Sequence, residues 1–257
     1  MKITSINING IRAGARKGFF DWLQREQPDV VCFQEIKAKP EQLTDPVFAP
    51  EGYHCYYHSA ERPGYSGVAL YSRREPDSII TGLGWPDIDA EGRYLEARFG
   101  DLAVVSLYVQ SGTSGTHRQD IKYDFMDRFL ERLRELRDSG REYIICGDWN
   151  IAHKQIDLKN WRSNQKNSGF LPDERAWMDR LFGEEGFVDA FRVVNEEPDQ
   201  YTWWSNRGQA WAKNVGWRID YHVVTPGLKD RIRSAEIYKD ERFSDHAPLT
   251  LVYDYPF

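Results

Sequence analysis

The chain has 257 residues, of which 40% are hydrophobic and 14% aromatic, and a formal net charge of −6. That length and apolar content are enough for a large buried core. No apolar run approaches the roughly 20 residues of a membrane span, and the opening MKITSININGIRAG lacks the apolar stretch of a secretory leader; a soluble, cytoplasmic protein with no membrane partner is expected.

In chain order, MKITSININ reads as a strand with Asn7 within it. Residues 17–27 carry Phe19, Phe20, Trp22 and Leu23 and stop before Pro28, as a short helix does. PDVVCFQE is the next strand and ends on Glu35; SGVALYSR and LAVVSLYV follow as apolar strands. Over 118–137, Ile121, Phe125, Phe129, Leu133 and Leu136 recur at three- and four-residue spacing, one face of a helix that Gly140 terminates. EYIICGDWN is a strand delivering Asp148 and Asn150, Pro172 opens another helix, and RIDYHVVT and APLTLVYDY close the series. Strands and helices intermixed throughout predict an α/β domain spanning 1–257, and the short strand-to-strand loops predict mixed sheets. The three cysteines fit neither a zinc site nor a disulfide framework; Cys32 and Cys146 sit in apolar runs and read as buried, reduced thiols.

The polar residues at the strand ends carry the chemistry. Asn7, Glu35, Asp148 with Asn150, Asp220, and the adjacent Asp245 and His246 each fall in or at the edge of an apolar strand, where open α/β sheets build sites. One such residue is ordinarily a turn or cap; five strand ends with the same pattern point to a site. Phosphodiester hydrolysis needs a cation, a group to activate water, and donors for the oxyanion. Glu35 offers the hard oxygen that suits Mg²⁺ or Mn²⁺ rather than zinc. Asp148 suits the activation of water, with Asn150 as hydrogen-bond partner, and Asp220 would hold His246 as a charged donor. An acidic total weighs mildly against a nucleic-acid partner, but local patches and a bound cation outweigh it.

The segments SININGIRA, VVCFQEIKA, GYSGVALYS, CGDWNIAH, IDLKNW, NVGWRIDY and FSDHAPL resemble the signature blocks of the exonuclease III family of abasic-site endonucleases, collinearly from Lys2 to Tyr253. The resemblance implies a four-layer α/β sandwich with two mixed sheets packed face to face. It implies an Mg²⁺-dependent enzyme, with Mn²⁺ as substitute, acting on double-stranded DNA at abasic sites and damaged 3′ ends: incision 5′ to the lesion, trimming of blocked 3′ ends, and 3′→5′ exonuclease action. A monomer is expected.

Carried over by position, Glu35 matches the principal metal ligand, with Asn7 and Asp245 near the ion. Asp148 and Asn150 match the water-activating pair, Asp220 and His246 the Asp–His pair, and Tyr108 a tyrosine at the scissile phosphate. Lys37 matches a lysine near the phosphate, and Asn164 and Asn167 match backbone-contacting amides. Trp203, Trp217 and Ile219 match the walls of a pocket for the flipped abasic sugar, and the small Ser168 leaves room for it. Asn9 and Ser111 depart from the family pattern, standing where some relatives have Asp and Asn. In YTWWSNRGQAWAKNVGW, Arg207, Lys213 and Arg218 interleave with tryptophans, as a backbone groove with stacking walls requires.

Two other functions share parts of this pattern. A non-catalytic nucleic-acid-binding regulator similar to catabolite repression control proteins would lose site residues that this chain keeps. A lipid or inositol phosphate phosphodiesterase would keep the metal carboxylate and the Asp–His pair but not the NQKNSGF and tryptophan-rich segments.

Overall fold

The computed structural model describes all residues, 1–257. One six-stranded sheet takes β1 (Lys2–Asn7), β2 (Val30–Gln34), β3 (His54–His58), β4 (Val68–Ser72), β13 (Ile232–Ile237) and β14 (Leu249–Tyr253), in the order β13-β14-β1-β2-β4-β3. The other takes β5 (Ser78–Thr81), β6 (Tyr94–Phe99), β7 (Leu102–Tyr108), β8 (Glu142–Asp148), β9 (Val188–Asp189) and β12 (Asp220–Val224), in the order β5-β6-β7-β8-β12-β9. A two-stranded ribbon, β10 (Trp203–Trp204) with β11 (Gly216–Trp217), stands apart. Each large sheet has one parallel pair, β1 with β2 and β7 with β8, and is otherwise antiparallel. The expected mixed sheets are therefore present.

Ile3, Val30, Cys32 and Leu70 of the first sheet and Leu102, Val104, Ile144 and Cys146 of the second fill the space between them. All are fully buried, each large aliphatic contributing about 1.5–3 kcal/mol. Helices cover the outer faces. On the first sheet, α1 (Ile11–Arg16) and α2 (Phe19–Glu26) bury Ile11, Phe19, Phe20, Trp22 and Leu23. On the second, α4 (Thr116–Asp138) and α5 (Pro172–Phe182) bury Phe125, Phe129, Leu133, Met178 and Leu181. The short α3 (Pro86–Asp89) and α6 (Ala190–Val194) complete the set. The result is the four-layer sandwich, helix–sheet–sheet–helix, that the sequence resemblance implies.

Helix ends obey local chemistry. Gln27 takes a left-handed conformation at the end of α2 (φ 51), and Pro28 prevents continuation. Pro172 opens α5, where Glu174 accepts from the backbone N–H groups of Gly169 and Leu171.

The seven strands expected from apolar runs are all present. The elements the apolar runs do not reveal are α1, α3 and α6 and the strands β3, β5, β6, β9, β10, β11 and β13. Most of these are edge strands with partly exposed side chains, such as HCYYH and IRSAEI. β6 lies inside its sheet, but its apolar signal is broken by Glu96 and Arg98, which pair with each other.

Strand direction sets the site. β1, β2, β7 and β8 end where β12 and β14 begin, because β12 runs antiparallel to β8 and β14 antiparallel to β1. Asn7, Glu35, Tyr108 and Asp148 thus sit at carboxyl ends, while Asp220, Asp245 and His246 sit at or before amino ends, all at one mouth of the sandwich.

Candidate active site

The backbone at this mouth is unusual. Asn9 (φ 44), Glu35 (φ 49), Lys37 (φ 52) and Asn150 (φ 53) all occupy the left-handed region. Such conformations cost of order 1–3 kcal/mol each in non-glycine residues and collect where side chains must be aimed. Cross-links hold the loops in place: Gly10 N–H donates to Glu35 O at 2.7 Å, Trp149 N–H to Ile219 O at 2.9 Å and Val109 N–H to Asp148 O at 2.9 Å.

Asn7, fully buried, ties two carboxylates together: its Nδ2 donates to Glu35 Oε1 at 2.9 Å and to Asp148 Oδ2 at 3.0 Å. Its Oδ1 accepts from the Asn9 N–H at 3.0 Å. In this orientation Asn7 braces the carboxylates and turns its oxygen away from them. Asp148 Oδ1 accepts from the Asn150 N–H at 3.0 Å, and Asn150 Nδ2 donates to Val109 O at 2.7 Å. His246 Nδ1 lies 2.8 Å from Asp220 Oδ2, while its Nε2 faces Asp148 Oδ2 at 3.7 Å. Asp245 accepts from Asn9 Nδ2 and from Trp203 Nε1, each at 3.1 Å. Lys37 Nζ donates to Asn9 Oδ1 at 2.6 Å and lies 3.6 Å from Glu35 Oε2. Asn9 is therefore a neutral bridge between Lys37 and Asp245. An aspartate there would face Asp245 with like charge, which gives the departure at this position a structural sense.

Charge states follow from burial and neighbours. Burial opposes charge on His246, but Asp220 first and Asp148 next outweigh it and push its pKa up to about 10. Burial, and then the charge of Asp220, push the Asp148 carboxyl up to about 7, with His246 pulling the other way. Burial raises the Tyr108 phenol well above its ordinary value, with Glu35 adding to it, so Tyr108 keeps its proton as a donor. Burial works against ionisation of Asp245, yet His246 and the donors Trp203 and Asn9 hold its carboxyl below the usual range.

These groups open into a cleft of about 500 Å³. Glu35, Tyr108, Asp148, Asn150, Asp245 and His246 form its polar floor, Trp203, Trp217 and Ile219 its apolar wall, and Asn164 and Asn167 its rim. Trp203 and Trp217 meet edge to face, with centroids 6.2 Å apart at 80°. Asn7 lies beneath the floor, Asp220 behind His246 and Lys37 beside Glu35, so these three act on the cleft through neighbours. The cleft also takes in Thr113, which carries no motif signal, and Gly169 of the NQKNSGF segment. Gly169 matters because it is left-handed (φ +95) and a Cβ there would come within 3.0 Å of the Trp217 ring.

Two details differ from the sequence reading. Arg218 is not part of a groove: it is 1% exposed and spans Asp157, at 2.9 Å, and Asp189. Among the tryptophans, Trp204 is fully buried and packs with Trp211, leaving Trp203 and Trp217 to the cleft. Asp157 is structural, its carboxyl held down to about 2 by Arg218 and Arg192 against the opposing effect of burial.

The donor set fits a hard divalent cation. Carboxylates of Glu35, Asp148 and Asp245 face one cleft, all oxygen donors with no thiol among them. Buried carboxylates are also in excess of cations here: Asp220 keeps Oδ1 buried with no partner, and Asp148 is pushed up by burial first and by Asp220 next. Asp148, Asp220 and His246 bring ligand-type atoms within 4.8 Å of one another. Asp220 Oδ2 and His246 Nδ1 are, however, bonded to each other, so the cleft-facing carboxylates, Glu35 foremost, are the better ligands.

Two mixed sheets packed face to face, with a carboxylate cluster and a buried Asp–His pair at their common mouth, define a DNase I-like hydrolase. The chain belongs to the Endonuclease/Exonuclease/phosphatase family, whose model matches residues 4–246. It is 41% identical over 254 residues to an exodeoxyribonuclease of Bacillus subtilis, covering 98% of this chain and 99% of that one. It is 40% identical over 256 residues to the DNA repair nuclease APEX1 of Danio rerio, covering 98% of this chain and 81% of the relative. An AP endonuclease structure from Archaeoglobus fulgidus superposes with a TM-score of 0.90 at 28% identity, over 99% of this chain and 100% of the other.

Proposed function

We propose that this protein is a divalent-metal-dependent DNA repair nuclease of the exonuclease III type. It incises duplex DNA 5′ to abasic sites, trims blocked 3′ ends and degrades duplex DNA 3′→5′. The observation that carries the reading is one cleft holding both a hydrolytic floor, Asp148 facing a His246–Asp220 pair, and an apolar slot of Trp203, Trp217 and Ile219. A flipped abasic sugar is bare of its base, and a tight apolar wall favours it over an intact nucleotide.

In this reading each residue of the cleft has a role. Asp148, fixed by Asn7 and Asn150, orients water and accepts its proton. Protonated His246 and the Tyr108 hydroxyl donate to the oxygens of the scissile phosphate, where negative charge grows in the transition state. Asn150 donates to Val109 O, and this fixes the turn that presents Asp148. Lys37 adds positive potential near Glu35, and Asn164 and Asn167 bind the strand at the rim. Glu35 and Asp245 would hold the cation, Mg²⁺ with Mn²⁺ as substitute, which supplies charge neutralisation at the phosphate. No helix is long and apolar enough to cross a membrane. We read residues 1–257 as one domain, working as a cytoplasmic monomer. The site is whole, so nothing favours a non-catalytic regulator.

The test is a duplex with one abasic analogue, incubated with EDTA, then with Mg²⁺ restored. Incision only with the ion is expected. Cleavage in a metal-free preparation would remove the cation from the reading, and no cleavage under either condition would overturn the enzyme.

A further inference from the structure

Beside the catalytic cleft, and sharing Asp245 with it, lies a second cavity of about 360 Å³ with no apolar residue in its lining. Asn9, Lys17, Asn206, Arg242, Ser244 and Asp245 form its walls. Its cations stand out in an acidic chain. Many arginines of the chain are tied to carboxylates, as Arg134 and Arg137 are to Glu185. Arg242 instead bonds only neutral groups: its Nη2 donates to Asn206 Oδ1 at 2.9 Å and its Nε to Ser244 O at 3.4 Å. Its guanidinium also lies 4.8 Å from the centroid of the Trp211 ring. Lys17, exposed on the other wall, has no carboxylate partner either.

A guanidinium clamped on one edge and stacked on one face keeps its remaining N–H donors in a fixed direction, which lowers the ordering cost of binding an oxyanion. The one acid in the cavity, Asp245, bonds to neither cation; its two oxygens accept from Asn9 and Trp203.

We propose that this cavity is a second phosphate seat, in which Arg242 and Lys17 grip one non-scissile internucleotide phosphate of the DNA whose scissile phosphate occupies the catalytic cleft. The proposal rests on the DNA reading above. Because Asp245 lies between the two cavities, one continuous backbone passes from the floor of the first into the second. The seat anchors a polymer and gives nothing to a mononucleotide.

The test uses the cleavage-impaired Asp148→Asn protein and a duplex with one abasic analogue, without divalent ion, titrated across salt concentrations. Each phosphate contact contributes about −0.9 to the slope of log affinity against log salt. Arg242→Gln should make the slope shallower by about one unit and weaken binding about tenfold at low salt. Lys17→Gln should move both in the same direction. Arg233→Gln, which removes a cation already paired with Asp254, should move neither. Single methylphosphonates placed along the duplex then locate the contact. One non-scissile position should weaken the parent yet leave the Arg242→Gln protein indifferent. A normal slope in Arg242→Gln, or equal sensitivity of both proteins at every position, overturns the seat. Failure of the parent itself to bind duplex DNA overturns the DNA reading, and the seat with it. Both tested side chains are exposed, so loss of folding does not confound the result.

Discussion

Asp148 and Asp220 lie directly opposite each other across the antiparallel pair β8 and β12, two buried carboxylates in register, and His246 bonds one and faces the other. The imidazolium is what makes the juxtaposition tolerable. Removing His246 leaves the two buried carboxylates facing each other with no compensating charge.

Asp148→Asn should lower incision by about 10²–10⁴-fold, the span of a lost general base, while duplex binding stays largely intact. Single-turnover incision and a gel shift measure the two separately. Near-normal turnover would remove Asp148 from the chemistry.

The pH profile of kcat/KM should be bell-shaped. Activity needs Asp148 ionised, so it rises as pH climbs toward the carboxyl's raised value of about 7, and earlier once a bound cation favours the carboxylate. It needs His246 protonated, so it falls as pH passes about 10. Asp220 is the main group holding that proton on, so Asp220→Asn should bring the alkaline limb down. An unmoved limb argues that His246 does not act as the charged donor.

Trp217→Ala should slow abasic incision more than removal of a 3′-phosphate, because only the first needs the apolar wall. Gly169→Ala should act in the same direction, since its backbone is left-handed and its Cβ meets the Trp217 ring at 3.0 Å. Equal losses on both substrates, measured side by side, argue against a sugar slot.

Acid stability should depend on His222. It is fully buried in a stack with Tyr253, with Nε2 unpartnered, and burial holds its pKa down to about 3 from an ordinary 6.5. Between those values the unfolded chain binds a proton that the folded chain refuses. The stability from this group is fully present above pH 6.5 and is lost as pH falls toward 3, in total on the order of several kcal/mol. Denaturant melts across that window should fall less steeply for His222→Gln than for the parent. Parallel curves would mean that His222 is not the acid-sensitive group.

The apolar runs, the helical period over 118–137 and the carboxylates at strand ends were legible without coordinates, because burial writes period and run length directly into composition. The motifs also named the residues of the floor and the wall. Edge strands such as β3 and β13 were silent, since half-exposed positions carry mixed side chains. Thr113 and the contact of Gly169 with Trp217 were silent because nothing in a local segment shows which loop it will meet.

Tertiary structure alone decided that Arg218 is a buried strut and not a groove cation, that Asn9 bridges Lys37 and Asp245, and that Arg242 and Lys17 face one cavity. Local propensity and pattern are properties of neighbours along the chain. Charge pairing and pKa are set by distances between residues as far apart as Asn7 and Asp148, which only the packing of two sheets brings within reach.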